Sequence, residues 1–278
     1  MEIKSLLTDV KVTKVPYAGK VEFPAYSDEN WQSNQTEFSM QVKGTGRFYA
    51  CNGNRVEYSV EPGSDSEWVK LYLNGQVLVA LLHQRRIISF HASSFVYNDY
   101  GVMILGETGA GKSSLTLSFV LNGAGFMTDD LTPVIFRNGT ACIMPVYKDV
   151  KVRPDTAQRL DIDSTRLRDA EAGTGKHYFE IEPARTDYHR LDIILKITAG
   201  GCKEPIFREP ETPDKFSTLR SEICSWEMLS GMPDTEAEYL HQLLEILKQV
   251  HYVNVVRPAD IDIGDFYKAV RGYLEKIP

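Results

Sequence analysis

A glycine-rich run between an apolar strand and a helix is the feature that most constrains how this chain can fold. Residues 106–113 match the pattern G-x-x-x-x-G-K-[ST] at every fixed position. Glycine lets backbone N–H groups close around an anion, and the next helix adds unpaired N–H groups and the positive end of its dipole. The sequence therefore predicts a strand, a phosphate-binding loop and a helix in that order.

The loop also carries side chains suited to a nucleoside triphosphate. Lys112 brings a positive charge for the β and γ phosphates, and the Ser113 hydroxyl is a suitable ligand for Mg²⁺. We expect ATP as the nucleotide and Mg²⁺ as the metal. The alternative is a tight turn that merely joins a strand to a helix. The predicted nucleotide-binding residues are Gly106, Glu107, Thr108, Gly109, Ala110, Gly111, Lys112, Ser113 and Ser114.

Composition argues against several broad classes of function. The 278 residues are 42% hydrophobic and carry a net charge of −7, which favours a folded chain and argues against a general nucleic-acid binder. The four cysteines are scattered without a C-x-x-C pair, so neither a zinc site nor a disulfide framework is indicated. The chain shows no signal-like segment and no apolar run of membrane-spanning length, so we expect a cytoplasmic protein without a membrane partner.

The chain reads as two parts of different character. The first part alternates short apolar runs with turn residues and predicts an antiparallel β unit, whereas the rest predicts an α/β domain around the loop. We therefore divide the chain into a β-rich domain over 1–86 and an ATP-binding catalytic domain over 87–278. The elements predicted in the first part are strands over 21–23, 37–42, 46–51, 55–60 and 69–73, and a helix over 77–85.

The second part predicts strands and helices in alternation on either side of the loop. Residues 205–213 are rich in acids and prolines and predict a loop, and 156–172 predict a surface helix or a mobile segment. The predicted strands are 87–91, 101–105, 125–130, 132–136, 140–145, 190–198 and 252–256, and the remaining predicted helices are 113–121, 235–250 and 264–277.

Two adjacent acids follow the strand after the loop helix. Phosphoryl transfer needs a carboxylate near the γ phosphate, to hold Mg²⁺ or to accept a proton, and Asp129 and Asp130 stand where such a group is needed. Adjacent residues of a strand point to opposite faces, so both acids reach one site only if the strand ends in a bend. The favoured interpretation is that the two acids have different roles, one binding the metal and the other facing the substrate hydroxyl. The alternative is a solvated turn before Pro133.

Three further residues are weaker candidates for the same site. His91 precedes the strand that leads to the loop, although a single histidine is usually structural. Arg153 and Lys176 lie in turn-like settings from which a cation could reach phosphate oxygens, and each could equally be a solvated charge.

Residues 81–133 resemble the catalytic core of the HPr kinase/phosphorylase family. The run LLHQRR, a histidine followed by Ala-Ser-Ser, the glycine-lysine-serine loop and the paired aspartates occur in family order and at similar spacing. The segment looks closer still to shorter related serine-kinase-like proteins, some of them encoded with lasso-peptide maturation genes. Residues 146–160 continue the resemblance more weakly.

The resemblance implies an ATP-dependent kinase that phosphorylates a hydroxyl, with serine of a protein or peptide as the favoured acceptor. It also implies a fold shared with phosphoenolpyruvate carboxykinase. Because the bifunctional relatives form hexamers, a homo-oligomer is a further expectation. By the resemblance, Ser113 helps to hold Mg²⁺, Lys112 acts on the phosphates, and Asp129 and Asp130 supply the base and a second metal contact, in either order. The predicted metal ligands are Ser113 and Asp130. His91 then assists at the phosphate or orients an acid.

The sequence departs from the family in ways that change the expected activity. Thr108 replaces the usual loop serine, and Ser114 stands where the bifunctional enzymes have glutamate. Their C-terminal glycine-rich signature is missing, so we expect no phosphorylase activity. A nucleotide-gated regulatory ATPase and a kinase of a small-molecule hydroxyl remain alternatives, and the β-rich part could hold a peptide by strand addition.

Overall fold

The computed structural model describes residues 7–147, 149–168, 175–182, 184 and 186–277. The chain is of mixed α/β class and has several sheets. It divides into two units, one formed by Met1–Ser89 with Ile223–Leu243 and the other by Phe90–Glu222 with Leu244–Pro278. The first unit thus includes a segment from the C-terminal half, which the linear division at 86 and 87 did not include.

The secondary-structure elements are numbered in chain order. The strands are β1 (Lys11–Lys14), β2 (Tyr26–Ser27), β3 (Trp31–Ser33), β4 (Glu37–Val42), β5 (Gly46–Cys51), β6 (Arg55–Val60), β7 (Ile88–Phe90), β8 (Ser93–Tyr97), β9 (Tyr100–Leu105), β10 (Gly125–Thr128), β11 (Thr132–Arg137), β12 (Thr140–Ile143), β13 (Asp149–Val152), β14 (Leu167–Arg168), β15 (His177–Glu180), β16 (His189–Gly200), β17 (Ile206–Arg208) and β18 (His251–Pro258). The helices are α1 (Ser66–Tyr72), α2 (Leu78–Gln84), α3 (Lys112–Leu121), α4 (Pro154–Arg159), α5 (Thr212–Ser221), α6 (Pro233–Gln249) and α7 (Ile263–Leu274). A π-helical turn over Leu73–Val77 joins α1 to α2, and Ser164–Arg166 and Trp226–Gly231 are short 3-10 helices.

The first unit contains a six-stranded sheet in the order β1-β6-β5-β4-β3-β2. Strands β4, β5 and β6 have the predicted bounds. Within the described residues β1 pairs with β6 in parallel, and the other neighbouring strands of this sheet are antiparallel. The sheet is therefore mixed, whereas the sequence predicted an antiparallel unit. The strand predicted over 21–23 is wrong, because the strands at that edge are β2 and β3.

The strand predicted over 69–73 is also wrong, because these residues belong to a helix. Val69, Leu73, Val77 and Leu81 recur every four residues, and all four are buried against the sheet, in contact with a cluster that includes Phe48. A spacing of four places side chains on one face of a helix, whereas a strand alternates every two residues. The Asn-Gly pair at 74–75, which favours a turn, instead lies in the π-helical turn, where Gly75 has non-helical backbone angles.

Hydrogen bonds within the first unit tie its C-terminal segment to its N-terminal part. The buried His83 ring contacts the Tyr239 hydroxyl and the Cys224 carbonyl, each at 3.0 Å. Gln35 donates to the Thr235 hydroxyl at 2.7 Å. Burial lowers the pKa of His83 to about 4, so the imidazole is neutral at physiological pH.

The second unit contains a large mixed sheet centred on β16. Strands β9, β16 and β18 are adjacent and parallel, while β8 and β10 extend the sheet antiparallel beyond β9 and β17 lies antiparallel to β18. Strand β12 pairs with the start of β16 and forms a hairpin with β11 around Asn138 and Gly139, as the Asn-Gly turn predicts. Helices α3 and α7 cover one face of this sheet, where Phe119 and Val270 join its buried cluster.

A small three-stranded sheet, in the order β13-β15-β14, belongs to the same unit. The helix predicted over 156–172 is largely wrong, because α4 ends at Arg159 and a 3-10 turn and β14 follow. Residues 169–172 of that prediction lie outside the described residues. The segment 205–213, predicted as a loop, contains β17 and the start of α5. Pro213 fits the first turn of α5, because the backbone N–H that proline lacks would have no hydrogen-bond partner within the helix at that position.

The other elements predicted for the second part of the sequence are present within a few residues of their expected bounds, including β9, α3, β10, β16, α6, β18 and α7. Strands β8, β13 and β15 were not predicted. No helix in the described part of the chain combines the length and apolar character needed to cross a membrane.

Candidate functional site

The glycine-rich loop lies between β9 and α3, in the order that the sequence predicts. Gly106, Gly109 and Gly111 have φ of +151°, +87° and +104°, a backbone region that L side chains rarely adopt. A Cβ on Gly106 would lie 2.6 Å from the carbonyl oxygen of Ile197, a main-chain atom of β16. The first glycine is therefore required by close packing of the loop on the sheet, and the third forms the N-cap of α3.

Lys112 begins α3 and turns its side chain back over the loop. Only 7% of the residue is exposed, and its Nζ donates a hydrogen bond to the Gly106 carbonyl oxygen at 2.5 Å. Burial lowers the pKa of Lys112, whereas the negative charges of Glu222, Asp129 and Asp130 oppose this shift. The lysine thus places a poorly solvated cation directly at the loop.

The strand before the acidic pair ends in a bend. Strand β10 stops at Thr128, and Asp130 has a φ of +70°. The Thr128 hydroxyl closes the bend by donating to the Leu131 carbonyl oxygen at 2.9 Å. Because the chain leaves the extended conformation here, the alternation of a strand no longer separates the two carboxylates.

Asp129 is the buried member of the pair, with 2% exposure. One of its oxygens accepts a hydrogen bond from the Ser113 hydroxyl at 2.9 Å, and the other accepts from the backbone N–H of Lys151 at 3.2 Å. Burial raises the pKa of Asp129, and the negative charge of Asp130 raises it further. The bond to Ser113 joins the acid to the first turn of the loop helix.

Asp130 is more accessible and lies between two basic groups. Its Oδ2 accepts from Lys151 Nζ at 2.8 Å, and its Oδ1 lies 3.7 Å from Nε2 of His91. Burial acts to raise the pKa of Asp130, but Lys151, followed by His91 and Lys176, outweighs it and holds the pKa below its usual value. Asp130 is therefore ionised at neutral pH.

His91 lies beside Asp130 with its ring about half exposed. Its backbone N–H donates to the carbonyl oxygen of Glu222 at 2.8 Å, which fixes the main chain at this point. Burial, followed by the positive charge of Lys112, lowers the pKa of His91, while Asp130, Glu222 and Asp129 act in the opposite direction. The imidazole therefore favours its neutral form.

The structure brings in residues that the sequence reasoning missed. Lys196 of β16 forms a largely buried ion pair with Glu222, and in the sheet Lys196 lies opposite Leu105, the residue before the loop. Arg257 of β18 donates from Nε to the Ala110 carbonyl oxygen at 2.9 Å. Lys196 could have been found as the one charge inside the apolar run 193–197, whereas nothing in the local sequence points to Lys151, Glu222 or Arg257.

Two of the predicted cations differ in their placement. Arg153 lies exposed at the N-cap of α4, and its guanidinium forms no hydrogen bond or ion pair with the described residues. Lys176 is half-buried and close enough for its charge to lower the pKa of Asp130. Gly173 and Thr174, which precede it in the predicted turn, lie outside the described residues.

The site offers oxygen ligands of the kind that Mg²⁺ prefers. The Ser113 hydroxyl and the Asp129 carboxylate are in contact, and a second carboxylate follows in Asp130. Among the described residues no group of three or more His, Cys, Asp or Glu side chains could hold a metal. Magnesium in nucleotide sites is commonly held by one or two protein groups together with substrate phosphates, and the donor set fits that arrangement.

No protein-family model matches the chain, and no curated protein matches it. Among solved structures, the chain is similar to the Hpr(Ser) kinase/phosphatase from Coxiella burnetii, at 14% sequence identity and a TM-score of 0.35. The match covers 68% of this chain and 97% of that chain.

Proposed function

We propose that this chain is an ATP-dependent kinase that transfers the γ-phosphoryl group to a hydroxyl, with serine of a protein or peptide as the favoured acceptor. The supporting observation is the hydrogen bond from Ser113 to Asp129, which joins the loop helix to the acidic pair. A phosphate-binding loop by itself fits many nucleotide-binding proteins. A loop whose serine contacts one of two adjacent carboxylates offers, in addition, groups that phosphoryl transfer requires.

The loop and Lys112 bind the triphosphate in this proposal. Backbone N–H groups of the loop and of the first turn of α3 donate to phosphate oxygens. The Lys112 ammonium exchanges its bond to the Gly106 carbonyl for bonds to the β and γ phosphates. Because the ammonium is already buried, little further desolvation accompanies this exchange.

The two acids take different roles. Ser113 and Asp129 would hold Mg²⁺, which when bound neutralises charge on the phosphate oxygens. This assignment pairs Ser113 with Asp129, whereas Asp130 is the metal ligand predicted beside Ser113 from the sequence. Asp130 is more exposed and ionised, and it accepts the proton of the attacking hydroxyl.

The transfer forms one bond and breaks one. The acceptor oxygen forms a bond to the γ phosphorus while the bond from that phosphorus to the bridging oxygen of ADP breaks. The hydroxyl proton passes to Asp130, and ADP leaves with the electron pair of the broken bond. His91 lies 3.7 Å from the other oxygen of Asp130 and would orient that carboxylate once the two groups close to hydrogen-bond distance.

The decisive experiment locates the transferred phosphate. The protein is incubated with ATP labelled at the γ position, Mg²⁺ and the products of its neighbouring genes, and phosphate is located by mass spectrometry. Phosphate on a seryl or other hydroxyl, lost in the Asp130→Asn variant, is the expected result. Release of free phosphate alone would replace the kinase with a nucleotide-gated ATPase, and phosphate on a small molecule would change the acceptor class. Failure to bind ATP·Mg overturns the proposal.

A further inference from the structure

Lys151 contacts both acids of the site with two different groups. Its backbone N–H donates to Asp129 Oδ2 at 3.2 Å, and its side-chain Nζ donates to Asp130 Oδ2 at 2.8 Å. The lysine side chain is 23% exposed, so this ion pair is partly shielded from water. One residue thereby bridges two carboxylates that otherwise repel each other.

The packing of β13 determines where Lys151 lies. Val150 and Val152 are buried in a cluster with Leu117 of α3 and Phe126 of β10. Side chains alternate along a strand, so Lys151 projects from the face opposite to these two valines. Strand β13 is itself paired with β15, where Lys151 lies opposite Tyr178. The position of the lysine is therefore fixed by the core beneath it.

Asp130 is held in a bend next to another acid. Its φ of +70° lies in the left-handed region, which among residues other than glycine Asn and Asp occasionally adopt. Its neighbour Asp129 adds like-charge repulsion across a short distance. The ammonium of Lys151 offsets this repulsion and anchors the Asp130 carboxylate by a charge-assisted hydrogen bond.

We propose that Lys151 is a positioning residue for phosphoryl transfer, which fixes Asp130 relative to Asp129 so that one acid stays at Ser113 while the other faces the acceptor. This inference rests on the proposed kinase function. The lysine acts through Asp130 and need not touch the nucleotide.

The first test compares Lys151→Met with Lys151→Arg. The measured rate is the rate of ADP formation from ATP·Mg. The phosphoryl acceptor in the assay is either water or the acceptor that mass spectrometry identifies. Because small displacements of a catalytic group cost about 10²-fold, Lys151→Met should lower kcat by about 10- to 100-fold. The KM for ATP·Mg should change by less than about 3-fold, since the loop and Lys112 are untouched. Lys151→Arg should restore most of the rate, because a guanidinium also donates to a carboxylate.

Lys268→Met is the matched control. Lys268 also pairs with an aspartate, Asp265, at 2.9 Å, but on the exposed surface of α7. This variant removes the same charge and should keep the wild-type rate. Equal rates for Lys151→Met and Lys268→Met would overturn the inference while leaving the kinase function intact.

A double-mutant cycle separates positioning from a merely structural role. In the Asp130→Asn background, Lys151→Met should cause no further loss of kcat, because the group through which it acts is already gone. A full additional loss in that background would overturn the inference. The same four proteins are unfolded in urea, where the midpoint of the double variant should lie above the value expected from adding the two single effects. Additive midpoints would mean that the pair is not coupled.

The two proposals fail in different ways. A wild-type protein that forms ADP neither alone nor with any acceptor overturns the kinase function and this inference together. A wild-type protein that transfers phosphate, with a Lys151→Met variant that does so equally well, overturns the inference alone.

Discussion

The Ser113 hydroxyl donates a hydrogen bond to Asp129 at 2.9 Å, joining the first turn of α3 to the bend that ends β10. The two residues are sixteen positions apart in the chain. Strand β8 pairs with both β9, which precedes the loop, and β10, which precedes Asp129, so the sheet brings the two residues together. This contact distinguishes the two acids, since Asp129 lies at the serine while Asp130 lies at Lys151 and His91. The division of roles between the acids can therefore be tested.

We expect Asp129→Asn and Asp130→Asn to impair activity in different ways. Asp129→Asn should raise the Mg²⁺ concentration for half-maximal activity by about 10-fold or more, because it removes the charge of a metal ligand. Asp130→Asn should lower kcat by about 10²–10⁴-fold as a general base is lost, with nearly unchanged Mg²⁺ dependence. Mg²⁺ titrations of ADP formation check both. The reverse pattern would exchange the two roles.

Lys112→Met should abolish nucleotide binding without destabilising the free protein. Burial lowers the pKa of Lys112, so the folded state disfavours its charged form and gains little from it when no nucleotide is bound. We expect ATP·Mg to raise the melting temperature of the wild type and of the Lys268→Met control, but not that of Lys112→Met. Calorimetric titration with ATP·Mg measures the affinity directly, and unaltered binding by Lys112→Met would contradict the role of the loop.

Gly106→Ala should destabilise the protein more than Gly109→Ala does. A Cβ at Gly106 would overlap the Ile197 carbonyl, whereas a Cβ at Gly109 would meet no atom within 4 Å. We expect a loss of about 1–3 kcal/mol in unfolding free energy for Gly106→Ala, from overpacking. The loss for Gly109→Ala should be about 1 kcal/mol, from its positive φ alone. Urea unfolding of the two variants compares them, and equal losses would mean that the overlap relaxes without cost.

Stability should fall between pH 6.5 and pH 4 because of His83. Its pKa is about 4 in the folded protein against a reference value of 6.5, so over this range the unfolded chain binds a proton that the folded protein does not. The stability is therefore fully present above pH 6.5 and decreases as the pH falls, by up to about 3 kcal/mol from this residue.

The matched variants for His83 isolate its contribution from that of other groups. His83→Gln should flatten this part of the pH profile measured by urea unfolding, whereas His241→Gln, at an exposed position of α6, should not. Asp129, whose pKa is raised above its reference value of 3.8, contributes with the opposite sign as the pH rises from that value, and both variants retain it. An unchanged slope in His83→Gln would contradict the assignment.

Glu222→Gln should be strongly destabilising because it leaves Lys196 buried without its counter-ion. Both side chains are largely buried, and removing one member of such a pair costs about 3–5 kcal/mol. The double variant Glu222→Gln with Lys196→Met should recover much of this loss, because no buried charge remains unpaired. Urea unfolding of the two single variants and the double variant tests this, and a double variant that is no more stable than Glu222→Gln would rule out the unpaired charge as the cause.

Local sequence patterns predicted much of the fold. The strands over 37–42, 46–51 and 55–60 are bounded by turn residues, and they form with the predicted limits. The loop with its flanking strand and helix follows from the motif. These features were predictable because the backbone preferences of glycine and the spacing of apolar residues act over a few neighbouring positions.

Other elements could not be assigned from such patterns. The run 69–73 mixes residues that favour strands, Val69 and Tyr72, with residues that favour helices, and burial of one helical face against β5 and β6 accompanies its helical structure. The segment Ile223–Leu243 contains most of α6 but groups with the first unit through contacts of residues far away in sequence. Packing between distant segments decides both places, because the local preference is weak.

For the candidate site, the sequence by itself determined the glycine-rich loop, Lys112, Ser113, the two acids and His91, because each stands in a short motif or next to one. Only the tertiary structure decided that Asp129 lies at Ser113, that Asp130 is held by Lys151, and that Lys196, Glu222 and Arg257 surround the loop. The physical reason is distance along the chain. Hydrogen bonds and ion pairs between residues far apart in sequence form only after the sheet and its core have brought their strands together, and no local pattern encodes them.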